Sequence, residues 1–167
     1  PINSKSFSND YFFLNLIESW GWGTWKRAWN NFETDNVKLK KEINERKLVS
    51  KFNFSSGISY YKMLNDNIKG LNDSWAIRWY ASTFLKNMNT LFPSKSFVKN
   101  IGIDNSGENC NYTTVYDSLI NLDYKPLKKI NSMELVTDRN AVKSFFQKIK
   151  YKRYIDNIIN KLKSLIK

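Results

Sequence analysis

The stretch from Trp75 to Met88, WAIRWYASTFLKNM, narrows most sharply what this chain can become. Trp, Ile, Tyr, Ala, Phe and Leu fall on nearly every face of a 3.6-residue helix, so a helix here has no side to give to water and must be buried. Asn72, Asp73 and Ser74 precede it as capping types, and Asn87 to Asn89 end it. One charge sits inside, Arg78, between Ile77 and Trp79. A guanidinium does not lose its proton, and burying it unpaired is costly. Arg78 therefore calls for an anion, either a carboxylate of the protein or a phosphate of a ligand.

Shorter elements surround this helix. Residues 11–17, YFFLNLI, read as a buried strand. The run WGWGTW (20–25) breaks regularity at Gly21 and Gly23, which suits a turn or a close backbone approach. Thr24 is placed to cap a short helix through KRAWNNF. Residues 35–51 read as one exposed, charge-rich helix capped by Asp35 or Asn36, with Glu42 and Arg46 at i,i+4. Ile58, Tyr61, Leu64 and Ile68 recur at helical spacing, with Gly70 as a stop signal. TLFP (90–93) and SFVKNIGI (96–103) are two strand candidates, and DNSGENCN (104–111) is a loop by composition. Pro126 argues against a continuous helix over 112–140.

The last 27 residues differ in kind. Val142, Phe145, Phe146, Ile149, Ile155, Ile158, Ile159, Leu162 and Ile166 repeat as an amphipathic helix requires, and eight basic residues face one acidic residue, Asp156. Such a helix packs on the body, lies on an anionic membrane surface, or contacts another protein. The fold class expected is α+β, mainly helical, with a few short strands and a C-terminal amphipathic helix, divided as 1–120 and 121–167.

The 167 residues carry 27 Lys and Arg against 15 Asp and Glu, a net charge of +12. A chain so basic predicts an anionic partner: nucleic acid, acidic headgroups, or phosphorylated small molecules. An aromatic share of 16% excludes a disordered tail, and no apolar run approaches the ~20 residues needed to span a bilayer. The polar start PINSKSFSND does not read as a signal sequence, and none is expected. There is no His and only one Cys, Cys110, which excludes His-based triads, His-ligated zinc and a disulfide framework. Catalysis is left to carboxylates, Tyr, Lys or Cys. Cys110, with no His to activate it, reads as a small buried or half-buried residue. No P-loop, GxGxxG or Asp-x-Asp occurs.

Two groups of residues could carry chemistry. Asp73 is a natural N-cap; equally, beside Trp75 and other apolar bulk, its carboxylate would suit proton abstraction from a hydroxyl. Trp20, Trp22, Trp25, Trp29, Trp75 and Trp79 either build a core or stack on the apolar faces of sugars and bases. The loop Asp104-Asn105-Ser106-Gly107-Glu108 offers polar contacts but lacks EF-hand spacing.

Taken together, SWGWGTW (19–25), NDSWAIRWYAS (72–82) and LFPSKSFVKNIGIDNSG (91–107) resemble the C-terminal half of family 2 glycosyltransferases of GT-A fold, the bacterial sugar transferases of surface-polysaccharide clusters. The resemblance covers about residues 10–115 in order and spacing. It implies transfer of a sugar from a nucleotide-sugar donor to a hydroxyl of a glycan or lipid-linked acceptor. In those enzymes a late carboxylate deprotonates the acceptor, and Asp73 fits that role. Arg78-Trp79 looks like the R-W of a Q-x-x-R-W element, whose Arg faces the donor diphosphate and whose Trp faces the acceptor. Trp20, Trp22 and Trp25 would then line the acceptor site together with Trp79, with Asp104 and Asn105 as loop contacts. Trp75 stands where that element has Gln, and Asn109 stands where relatives often carry a His on the metal. A divalent metal, Mg or Mn, is accordingly expected in a complete enzyme but no ligand to it from this chain. The nucleotide-binding βαβ half with Asp-x-Asp is not in this sequence, so the expectation is a chain that is inactive alone and works with that half or a partner chain. A cytoplasmic location follows, with the tail peripheral at the inner membrane face.

The rival reading is a basic, aromatic nucleic-acid-binding or membrane-surface module without catalysis. Against nucleic acid, the excess charge lies in the tail while the Trps lie in the first half, and no RRM, KH or zinc-finger pattern appears. The expectation is a sugar transferase with no nucleic acid among its partners.

Overall fold

A computed structural model describes residues 11–54, 58–93, 96–98 and 101, together with residues 147, 150–152, 154–156, 158–159 and 161–162. The elements run β1 (Tyr11–Leu14), α1 (Lys26–Trp29), α2 (Asn36–Glu45), α3 (Val49–Phe52), α4 (Tyr60–Ile68), α5 (Trp75–Leu85) and β2 (Thr90–Pro93). The chain is thus a mixture of helices and a two-stranded sheet in which β1 pairs with β2. It divides into two compact units, residues 13–91 and residues 1–12 with 92–167. The expected boundary at 120 and 121 lies outside the described residues.

In the 13–91 unit, α5 is the centre. From Trp79 to Leu85 every residue is buried, including Ser82 and Thr83. The helix solves its own polarity by back-bonding: Thr83 Oγ1 donates to Trp79 O at 3.1 Å and Ser82 Oγ to Arg78 O at 2.8 Å. α2 covers it with Leu39 and Ile43, four residues apart on one face, and α4 with Tyr60 and Leu64. Phe52 of α3 stacks on Tyr80, centroids 4.6 Å apart and planes 10° from parallel. The Tyr80 hydroxyl donates to Phe52 O at 2.8 Å. Burial, with a smaller contribution from the Glu18 carboxylate, pushes the Tyr80 phenol well above its ordinary 10.0.

The single helix expected over 35–51 is two. Asp35 caps α2 as expected, accepting from Val37 N and Lys38 N at 3.0 Å each. The helix then closes on Lys47, a left-handed residue at φ 53°. Lys47 N donates to Asn44 O and Leu48 N to Ile43 O, both at 2.9 Å, the paired bonds of a Schellman stop. α4 ends in the same way on Gly70 (φ 70°) and α5 on Asn87 (φ 51°). Gly70 and Asn87 announced their stops in sequence, whereas Lys47 did not, because lysine rarely takes this conformation. Arg46, salt-bridged to Glu42 as its spacing predicted, also donates to Leu85 O at 2.9 Å and so satisfies the last turn of α5.

Two other expectations change. α1 begins after Trp25 with no side-chain cap, so Thr24 does not cap it; instead Trp25 O accepts directly from Ala28 N and Trp29 N. Among its described residues, 96–103 forms no strand. Ser96 makes an isolated bridge and bonds its own neighbourhood, its Oγ donating to Val98 O at 2.8 Å and accepting from Val98 N at 3.2 Å.

Lys47→Gly is expected to raise unfolding free energy by about 1 kcal/mol and Gly70→Ala to lower it by about 1 kcal/mol, measured by urea denaturation. Stability falls as pH rises above about 10, because an unfolded tyrosine ionises there while folded Tyr80 resists. Tyr80→Phe removes that alkaline loss and costs about 1 kcal/mol at neutral pH through the hydrogen bond.

Candidate functional site

The site is built on the start of α5 and the 20–33 segment, both within the 13–91 unit. An asparagine clamp sets the approach to the helix. Asn67, buried on α4, donates through Nδ2 to Asn72 O at 3.0 Å and accepts at Oδ1 from Asn36 Nδ2 at 3.0 Å. Asn72 donates to Met63 O at 3.1 Å and accepts from Ser74 N at 3.1 Å. The cap is then Ser74, whose Oγ accepts from Ile77 N at 3.3 Å. Asp73 is therefore not the N-cap, and its side chain is fully exposed, at 103% of its reference area. The apolar setting expected around its carboxylate is absent; what the clamp provides is position.

Arg78 lies one turn into the helix, with 25% of its side chain exposed. Its Nη2 stands 3.9 Å from Asp73 Oδ1, beyond hydrogen-bond range, and a pair with so exposed a carboxylate contributes little. Its Nε is buried without a hydrogen-bond partner, and so is Nε1 of the next residue, Trp79. Each such orphaned donor costs about 1–3 kcal/mol until an acceptor reaches it. Among the described residues the carboxylate that approaches Arg78, that of Asp73, is distant and solvated, so the pairing with a protein carboxylate open in the sequence is not met in full there.

Around these residues the tryptophans divide into two groups. Trp22, Trp29, Trp75 and Trp79 form one cluster, with Trp22 to Trp75 at 5.1 Å, Trp29 to Trp79 at 5.0 Å and Trp22 to Trp29 at 5.8 Å between centroids. Phe32 closes its flank, 4.7 Å from Trp29. Trp79 is the floor, 2% exposed, while Trp22, Trp29 and Trp75 each keep over a third of their surface in solvent. Trp25 faces solvent more fully, with the Arg27 guanidinium 5.0 Å from its ring centre. Trp20 is exposed as well. Ser82 ties the two segments together, accepting from Glu33 N at 3.0 Å.

Of the residues expected in the site, the structure brings Trp22, Asp73, Arg78 and Trp79 to the start of α5. Trp79 contributes from beneath rather than as an open stacking face. Trp29 and Trp75, named in the sequence as core or stacking residues but not placed in the acceptor site, join them, as does Phe32, which had not been singled out. Trp75 had a readable signal: it stands three and four residues before Arg78 and Trp79, on the same helix face. Gly21 is explained by its φ of 59°, whereas a Cβ at Gly23 would meet nothing within 4 Å, so no close backbone approach requires that glycine. Asp104, Asn105, Asn109 and Cys110 lie outside the described residues. Among the described residues, no three Asp, Glu, His or Cys groups stand together as a metal site would need.

Comparison with known protein families, characterised proteins and solved structures finds no match.

Trp79→Ala is expected to cost about 3–5 kcal/mol by urea unfolding, as for other buried large-to-small changes. Trp25→Ala is expected to cost no more than about 1 kcal/mol, the value of an exposed ring–guanidinium contact.

Proposed function

We propose that this chain forms the acceptor side of a family 2 glycosyltransferase of GT-A fold, transferring a sugar from a nucleotide-sugar donor to a glycan or lipid-linked acceptor. The observation that carries the reading is Arg78: a half-buried guanidinium with an unpartnered Nε, set among part-exposed indoles and next to a solvent-facing carboxylate. A diphosphate supplies oxygen acceptors and negative charge in the form such a group recognises. Indole faces complement the C–H faces of a sugar ring, and Trp22 and Trp75, packed against each other at 5.1 Å, each keep over a third of their surface in solvent. The motif resemblance gives these chemical features a common purpose.

In this reading Asp73 takes the proton of the acceptor hydroxyl. The freed oxygen attacks the anomeric carbon and forms the new glycosidic bond. The bond from that carbon to the diphosphate oxygen breaks, and the nucleoside diphosphate leaves with the electron pair beside Arg78. The nucleotide-binding βαβ unit with its Asp-x-Asp and metal comes from a further segment or a partner chain. Trp20 and Trp25 extend the acceptor surface outward.

Asp73→Asn tests the assignment once the nucleotide-binding half is supplied. Transfer is expected to fall by about 10²–10⁴, the usual weight of a general base. Melting is expected to stay unchanged, because the carboxylate is fully exposed and caps nothing. Unchanged transfer removes Asp73 from the mechanism. Arg78→Gln is expected to weaken nucleoside diphosphate binding by at least tenfold while leaving glycan binding intact.

A further inference from the structure

The C-terminal segment presents its apolar side outward. All its described residues between 147 and 162 are helical. Tyr151, Tyr154, Ile155, Ile158, Ile159 and Leu162 are all exposed, Tyr151 at 68% and Leu162 at 54%. At 3.6 residues per turn these six fall within an arc of about 140°. The buried member is instead an acid, Asp156, at 9%. A helix packed on a core by its apolar stripe would show the reverse pattern, isoleucines covered and the aspartate in water.

The flanks of the stripe are basic. Lys150 and Lys161 border one edge and Lys152 the other, and all three are exposed. Across residues 141–167, eight basic residues stand against the single Asp156, more than half of the net +12 of the chain. An apolar band with lysines along both margins is the pattern of an interfacial helix: the band enters the headgroup–acyl boundary while the long lysine stems carry their charges out to anionic headgroups. Among the described residues no helix is long and apolar enough to cross a membrane, so this contact is with a surface.

We infer that this helix docks the protein on an anionic lipid surface through Tyr151, Tyr154, Ile155, Ile158, Ile159 and Leu162, with Lys150, Lys152 and Lys161 at the headgroups. A second copy of the chain would equally cover the apolar band, but it would bring lysine margins against lysine margins, whereas anionic lipid complements them. RNA would complement the charge and leave the isoleucines in water.

The test is co-sedimentation of the full chain with vesicles of phosphatidylcholine alone and of phosphatidylcholine with about 30% phosphatidylserine, at low and high salt. Binding is expected only to the anionic vesicles, weakening as salt rises. Ile155→Asp with Ile158→Asp is expected to lower partitioning more than tenfold, since both side chains leave the lipid. The positions are exposed, so helical circular dichroism and melting should not move. Lys150→Gln, Lys152→Gln and Lys161→Gln are each expected to lower partitioning about fivefold. Equal binding to neutral vesicles overturns the proposal. So does anionic binding that the double aspartate variant leaves unchanged, which would mark a charge-only contact open to any polyanion. A concentration-dependent dimer, broken by the aspartates and without affinity for vesicles, assigns the face to a second copy and also overturns it.

Discussion

Everything in the 13–91 unit follows from α5 having no face to spare. A helix that is apolar all round must be enclosed, and the surrounding elements are arranged to enclose it: α2 and α4 from the sides, Phe52 stacked on Tyr80, Trp29 and Phe32 against Trp79. The polar groups that the helix cannot hide are used as fastenings. Ser82 holds the backbone of Glu33, Tyr80 holds that of Phe52, and Arg46, at the end of α2, closes the Leu85 carbonyl of α5. Each bond joins α5 to a segment distant in sequence, so side chains that look like flaws in an apolar run are what fix its surroundings.

The same enclosure makes the candidate site. At its N-terminal end α5 emerges from the core, and Trp75, Arg78 and Trp79 lie at the border between buried and exposed. Trp79 completes the core while Trp22, Trp29 and Trp75 stack above it with part of each ring in water. Arg78 inherits a setting too apolar to leave it solvated and too open to pair it. The asparagine clamp of Asn36, Asn67 and Asn72 holds the preceding loop rigidly, which fixes Asp73 without burying it. Structural necessity and chemical opportunity thus meet at one helix end.

What could be read from the residues depended on whether the signal was local. The apolar saturation of 75–85, the Asp35 cap, the i,i+4 pair of Glu42 and Arg46 and the Gly70 stop are short-range patterns, and all appear in the fold. The break at Lys47 was not legible, because a lysine in the left-handed region is imposed by the packing of Leu39, Ile43 and Phe52 on either side rather than by its own preference. The cap was misplaced by one residue for a related reason. Asn72, Asp73 and Ser74 are all capping types, and only the tertiary bonds of Asn72 decide that Ser74 takes the role. In the site, Arg78 stood out as a charge in an apolar helix, but the division of the Trps into floor, platform and outer rings depends on contacts across some fifty residues of sequence.

The C-terminal helix illustrates the limit of periodicity in the opposite direction. Its heptad-like spacing declares an apolar face but not what that face meets, since core, partner and lipid all accept the same pattern. Burial separates them: Asp156 is 9% exposed, whereas the isoleucines keep 38–43% of their surface in water. A charged group is taken out of water only when its surroundings favour it, whereas isoleucines with about two-fifths of their surface in water forgo part of the burial that ordinarily stabilises such a helix. That inversion needs an external surface to make energetic sense, and the lysines on both margins specify its sign. For the transferase proposed above, acting on lipid-linked acceptors, such a helix would also keep the chain at the surface where those acceptors are concentrated.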